Sequence, residues 1–457
     1  MKNIFLSKIT RKIYICLNAS LNIYMFLIAK NSYSFSICLT TFVLSLLSVF
    51  LYLSIRDNKN AFDFDVIFLV AFIFTYFIYP VFIFPVNKTR FFMFNYGFNE
   101  SVITKSTLLA SIGLHFFLIG LFSKSKKNNS FTKFTKKYSL SVVNLFIYLF
   151  VFLHFIQVFV LKIGLVYSEK GNANPATSTG IWGYLSILRT SVIMVALVFY
   201  FNNYFRGGKK KLKIQDIVLW IGIIFEILII ISTGSRGGAL GIILVTFAGF
   251  AILKGGFSYK KLLLLMFIGM AFLSLIVVLR SGSAFKFSFN IIDMAMDLII
   301  NNYTIFLCYD YVEKFGLVPF TLIGSLLSAI PFLAGLAIST FNISIYESSS
   351  ARFFSVLALG NNPKFGVGTN IVASLYLATG LIGVIVFMFL FGVFIKKINI
   401  SPNKINAPIL KLFLYFEMMS VAVYMVRADF FYQVGKIVFG LVFLYLCSAA
   451  FIWKYKK

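Results

Sequence analysis

Negative charge is scarce in this chain: 14 Asp and Glu stand against 42 Lys and Arg in 457 residues, and charged residues of both signs make up only 12%. A soluble domain has about a quarter of its residues charged, so that class is excluded. Histidine occurs twice, as His115 and His154, each inside an apolar run, where a packed, hydrogen-bonded ring is the expected state. The four cysteines, Cys16, Cys38, Cys308 and Cys447, lie far apart. Their spacing matches neither a zinc site nor a redox pair, which excludes a disulfide scaffold and a zinc module. Asp293 and Asp297 share a helical face but lack further ligands, so no metal is expected, and no cofactor.

What the chain has is apolar residues, 60% hydrophobic and 19% aromatic, more than one soluble core buries. The expected fold is all-α, a polytopic integral membrane protein of about 12 transmembrane helices, each about 20 apolar residues long. The runs lie near residues 13–29, 35–55, 66–86, 103–122, 139–161, 182–201, 217–232, 237–253, 262–279, 368–395, 408–425 and 434–452. The opening "MKNIFLSKITRK" has no small-residue cleavage site, so the N-terminus is expected to be retained. With that end inside, inner segments carry 26 basic residues and outer ones 12. The positive-inside rule therefore places both termini in the cytoplasm. The net charge of +28 sits in short lysine clusters between spans, which points to lipid headgroups as partners and not to nucleic acid.

Residues 1–457 read as a single transmembrane helical domain whose one large extracytoplasmic loop, 280–367, lies between spans nine and ten. Inside it, "LVPFTLIGSLLSAIPFLAGLAIST" is long enough to cross but is interrupted by Pro319, Gly324, Pro331 and Gly335. A single crossing would invert the basic segments that follow, so a re-entrant hairpin or interfacial helices are expected there.

Charge reappears at a few places on the outer side. In "ISTGSRGGALG", Arg236 stands between a hydroxyl pair, Thr233 and Ser235, and the glycines that open the next span. A guanidinium fork beside free helix N–H groups makes an anion-binding corner. A tight turn with a snorkelling arginine explains the same residues. Arg280 in "VVLRSGS" and Arg427 in "YMVRADF" end spans on the same side, and three arginines on one charge-poor face favour an anionic ligand.

These residues resemble the O-antigen polymerase family, the Wzy-type repeat-unit polymerases. The resemblance rests on "STGSRGGALG", the long outer loop, "GVGTNIVASLYLATGLIGVIVFMFLFG" and the arginine-acid pair of "VRADFF". It implies a metal-independent membrane glycosyltransferase of the bacterial cytoplasmic membrane, working in O-antigen or capsule synthesis. Such an enzyme moves a growing glycan from a polyprenyl diphosphate carrier to a lipid-linked repeat unit on the outer face. Polyprenyl-diphosphate-linked oligosaccharide and membrane lipids are the implied partners, with a flippase and a chain-length regulator beside them.

Family-like arginines are Arg236, Arg280 and Arg427, with Arg352 carried over from the loop; with Thr233 and Ser235 they would hold the diphosphate. The family often has an acid before "LY", where this chain has Ala373 and Ser374, so no carboxylate acts there. Arg236 and Arg280 would stabilise the leaving diphosphate, and Glu347 or Asp429 would serve as base. Tyr346 and Tyr376 are the expected sugar contacts, with Tyr303, Tyr309 and Tyr311 as further rings. Glu226, Glu417 and Arg189 are intramembrane charges that fit a relay or an ion pair. An O-antigen ligase, or a transporter or flippase of lipid-linked oligosaccharide, fits the same spans, although no internal repeat of the transporter kind is visible.

Overall fold

The computed structural model describes residues 7–56, 58, 60–123, 149–156, 180–207, 214–232, 236–269, 291–330, 332–361, 363, 365–400 and 408–455. Among these, every regular element is helical. The main helices are α1 (Lys8–Ile28), α2 (Phe35–Ile55), α3 (Phe64–Ile78), α4 (Ile103–Leu121), α5 (Gly180–Gly207), α6 (Ile214–Ser232), α7 (Arg236–Leu253), α8 (Asn302–Phe315), α9 (Phe320–Leu327), α10 (Leu333–Phe341), α11 (Ser350–Leu359), α12 (Ile371–Ile398), α13 (Ile409–Ser420) and α14 (Val434–Tyr455). Five described helices are long and apolar enough to cross a membrane: 35–55, 64–83, 100–121, 187–204 and 371–398. Of the expected spans five and nine, helical residues 149–155 and 259–269 are described; the rest lie outside the described residues.

Two elements differ from the sequence reading or sharpen it. The apolar run 317–340 forms two short helices, α9 and α10. At eight and nine residues neither reaches across hydrocarbon. The expected eleventh span stops at Ser420, and Arg427 belongs to a separate 3-10 turn, Tyr424–Arg427. The helix can end there because neighbours satisfy the irregular backbone: Tyr76 Oη donates to the Val426 carbonyl (3.3 Å) and the Phe430 N–H donates to Ser374 Oγ (3.2 Å).

The chain divides into two compact units. The first holds residues 1–126, 258–399 and 422–432, with α12 laid along α4. Their closest approach is Gly120 against Gly392: a Cβ on either would collide with backbone of the other helix, at Phe389 O or Phe117 O. Small residues of this kind let membrane helices touch. Gly392→Ala should therefore force α4 and α12 apart; in detergent its melting temperature should fall by several degrees, as a loss of about 1–3 kcal/mol implies.

Between α2 and α4 runs a ladder of small polar groups. Ser45 pairs with Ser111 (2.9 Å), and His115 Nδ1 donates to the Ser111 carbonyl (2.7 Å), leaving Nε2 to accept from Ser48 (2.9 Å). His115 is a packing residue. At the α2–α3 turn, buried Arg56 reaches Asp65 (2.7 Å) and Asp63 (2.5 Å) and donates to the Asn58 and Asn60 carbonyls.

α3 continues through a π turn, Tyr79–Ile83, because Pro80 has no N–H to donate. α12 bends at Gly380, whose positive φ (66°) interrupts the helix. The Leu377 carbonyl thereby released accepts from the Val318 N–H (2.8 Å), which roots α9 at the bend. Before the bend, residues 371–378 are buried on all sides; after it, Ile382, Val386 and Leu390 are exposed.

The second unit holds residues 127–257, 400–421 and 433–457. An aromatic core of Phe201, Trp220, Phe250 and Phe416 joins α5, α6, α7 and α13. Gly241, the last glycine of the arginine motif, faces the Ser420 carbonyl so closely that a Cβ would lie 2.6 Å from it. Packing explains that glycine. Buried Glu226 pairs with Arg189 (2.6 Å) and His154 (3.1 Å), and Glu417 accepts from Gln433 (2.8 Å). These intramembrane charges are neutralised or hydrogen-bonded within the unit, as burial in a low-dielectric interior requires.

Candidate functional site

In the first unit the start of α12 organises a buried polar corner. Asn370 caps that helix, its side-chain oxygen accepting from the Ala373 N–H (2.8 Å) and from Tyr76 Oη (2.9 Å). Its amide donates to the Asn301 carbonyl (3.0 Å) and to Thr304 Oγ1 (2.7 Å). Asn302 in turn donates to the Tyr76 carbonyl (3.0 Å). Four segments are thus pinned at one point: α3, the start of α8, the start of α12 and the 424–432 connection. An Asn directly before an apolar run is the sequence signal of such a cap; its distant partners leave no local signal.

Against this frame sits a chain of hydroxyls that ends on a carboxylate. Thr369 and Ser350 are 2.7 Å apart, and Ser350 Oγ donates to Asp429. Since an ionised carboxylate only accepts, the single Ser350 proton is committed to Asp429, so the Thr369 hydroxyl donates to Ser350. Thr369 Oγ1 keeps acceptor capacity at the far end. Burial pushes the Asp429 carboxyl above the usual range, while the Ser350 hydrogen bonds pull it back. Among the described residues no lysine or arginine is ion-paired with it, although Arg427 is two residues away.

Two guanidiniums flank the corner in sequence. Arg427 stacks over the Tyr424 ring at 5.3 Å, and its Nε is buried without a hydrogen-bond partner. Arg352, in the first turn of α11 two residues after Ser350, is exposed and donates to Ser348 Oγ (3.2 Å). Glu347 lies in the preceding 3-10 turn. Arg427, with an unsatisfied buried donor, and Arg352, with an open head, are the kind of groups an anion would complete.

The remaining expected residues are placed as follows. Arg236 opens α7 in the second unit; Thr233, Ser235 and Arg280 lie outside the described residues. Tyr346 donates to the Asn361 carbonyl (3.0 Å) on the loop that leads to Thr369. Tyr376 is buried, stacked on Tyr309 at 5.6 Å and 9°, and Tyr303 is buried as well, so these rings pack the core. Asp293 is ion-paired with Arg90 (2.7 Å). Among the described residues no three His, Cys, Asp or Glu side chains converge where a metal could bind.

A family model described as O-antigen polysaccharide polymerase Wzy matches residues 12–457. The chain belongs to this family. No curated protein and no solved structure matches it significantly. Membership makes it a bacterial membrane protein of polysaccharide biosynthesis, a glycosyltransferase-like polymerase acting on lipid-linked oligosaccharide repeat units. In this Wzy chain the segment "GVGTN" has a direct structural meaning: Gly368 carries a positive φ (81°), turning the loop so that Thr369 meets Ser350 and Asn370 caps α12.

Proposed function

We propose that the protein transfers a growing glycan from polyprenyl diphosphate to the non-reducing end of a lipid-linked repeat unit on the outer face of the cytoplasmic membrane. The observation that carries this reading is the hydroxyl chain ending on the half-buried Asp429, which has no ion pair among the described residues, flanked in sequence by arginines with donors to spare. The acceptor hydroxyl attacks the anomeric carbon of the donor's reducing-end sugar. The bond from that carbon to the diphosphate oxygen breaks, and polyprenyl diphosphate departs as an anion.

Asp429 receives the acceptor's proton by way of Thr369 and Ser350. Arg427 and Arg352 meet the leaving diphosphate. A fixed guanidinium stabilises the charge as it develops without a general acid, since diphosphate leaves readily as an anion. Glu347 is the second candidate base.

Purified protein in nanodiscs, given lipid-linked repeat units and no ion gradient, should produce a ladder of lengthened lipid-linked glycan. Failure to lengthen them, with transbilayer movement instead, would make it a flippase. The acid side of the pH–rate profile tests the base. A raised carboxyl is protonated, and inactive as base, at pH values where an ordinary aspartate is ionised. Activity should therefore fall on acidification at a higher pH than an unperturbed carboxylate gives, and Asp429→Asn should abolish that limb together with most of the rate. Retention of the same limb in Asp429→Asn would shift the role to Glu347.

A further inference from the structure

Three exposed aromatic rings stand apart from the buried core of the first unit. Phe92 and Tyr96, on the 3-10 turn Phe92–Tyr96, and Phe365, on the α11–α12 loop, are 48%, 47% and 41% exposed. Phe365 meets Phe92 with centroids 6.4 Å apart and Tyr96 at 6.0 Å, both edge to face. Segments about 270 residues apart in sequence thus join their rings at the surface and leave ring area uncovered.

Exposed aromatics on a membrane protein commonly face lipid, but the residues that flank Phe92 and Tyr96 in the chain are ionic. Arg90 pairs with Asp293 (2.7 Å) and Lys88 with Glu100 (2.6 Å), all four partly exposed, and Asn99 donates to Asp310 (2.7 Å). Hydrocarbon does not accommodate such a rim. The rings therefore face water, where a bare aromatic cluster carries a cost unless something covers it.

We propose that Phe92, Tyr96 and Phe365 form a glycan subsite that stacks a pyranose ring of the lipid-linked oligosaccharide, a proposal resting on the polymerase reading above. The electron-rich ring faces attract the C–H face of a sugar, while the exposed Asn95 and Asn361 offer amides for its hydroxyls. The subsite is tied to the polar corner by covalent chain. Phe365 is four residues before Thr369, so their Cα atoms are at most about 14 Å apart, the reach of a short oligosaccharide. The loop between them is held in place: the Val367 N–H donates to Ser355 Oγ on α11 (3.0 Å).

The test uses full-length Phe365→Trp protein in nanodiscs, titrated with the free repeat-unit oligosaccharide released from the host's own lipid-linked material. A saturable change in tryptophan emission is expected, lost when Phe92→Ala and Tyr96→Ala are added. In the polymerisation assay Phe92→Ala/Phe365→Ala should raise KM for the lipid-linked repeat unit about tenfold, the effect of losing one such stacking contact, with kcat unchanged and Phe365→Tyr near wild type. An unchanged KM and a flat titration, while wild-type protein still makes polymer, would overturn the subsite and leave the polymerase reading standing. An equal emission change with dextran would also overturn it, because the patch would then be unselective. A saturable response in protein that makes no polymer would support the subsite and remove the polymerase reading instead.

Discussion

Arg427→Ala is expected to cut the rate of glycan lengthening by about 100- to 1000-fold, the usual cost of deleting one fixed donor to a developing anion. The side chain has the features of such a donor: its guanidinium is held over the Tyr424 ring and its buried Nε is left without a partner. Diphosphate oxygens would complete it. Arg427→Lys keeps the charge but loses the fork, and should recover only a small part of the rate. The measurement is kcat per folded protein in nanodiscs, with lipid-linked repeat units as substrate. If Arg427 only braces the 424–432 connection, the melting temperature will drop while kcat per folded molecule stays the same, and the assignment fails.

Arg56→Met should reduce stability by about 3–5 kcal/mol, because it removes the guanidinium that pairs with two buried carboxylates. Asp63 and Asp65 have fully buried side chains and Arg56 is 3% exposed, while Tyr52 Oη also donates to Asp65 (2.5 Å). A loss of that size is comparable to much of a domain's net stability, so the variant should be found chiefly as degraded or aggregated protein. Adding Asp63→Asn and Asp65→Asn removes the buried negative charge and should restore part of the yield. Membrane-fraction abundance and thermal unfolding in detergent decide it. Wild-type abundance for Arg56→Met would show that water reaches the cluster and screens it.

Several parts of this architecture were legible in the residue order. The α2 boundaries agree with the apolar run 35–55, and α4 ends one residue short of the expected 103–122, because unbroken hydrophobicity, and for α2 the Ser34 cap, are local signals. Pro331 is the local signal for the break in 317–340, while Gly324 and Gly335 lie inside α9 and α10. Nothing local in the sequence says that Asp63 and Asp65 both fold over Arg56. Tyr303, Tyr309 and Tyr376, expected sugar contacts by sequence, lie buried on α8 and α12, because residue order alone does not reveal which aromatic faces inward.

Composition and span-length apolar runs were enough to determine that this chain lives in a membrane as helices, because the demand for internally satisfied backbone acts residue by residue. Its arginine motif and loop pattern were enough to point to the polymerase family. Only the tertiary structure decided that Asp429 takes Ser350, that Asn370 ties four segments together, and that Phe92, Tyr96 and Phe365 share one surface. Those partners are 79, up to 294, and about 270 residues apart. Contacts over such separations depend on how helices pack against one another, and side-chain periodicity along any one helix carries no record of that.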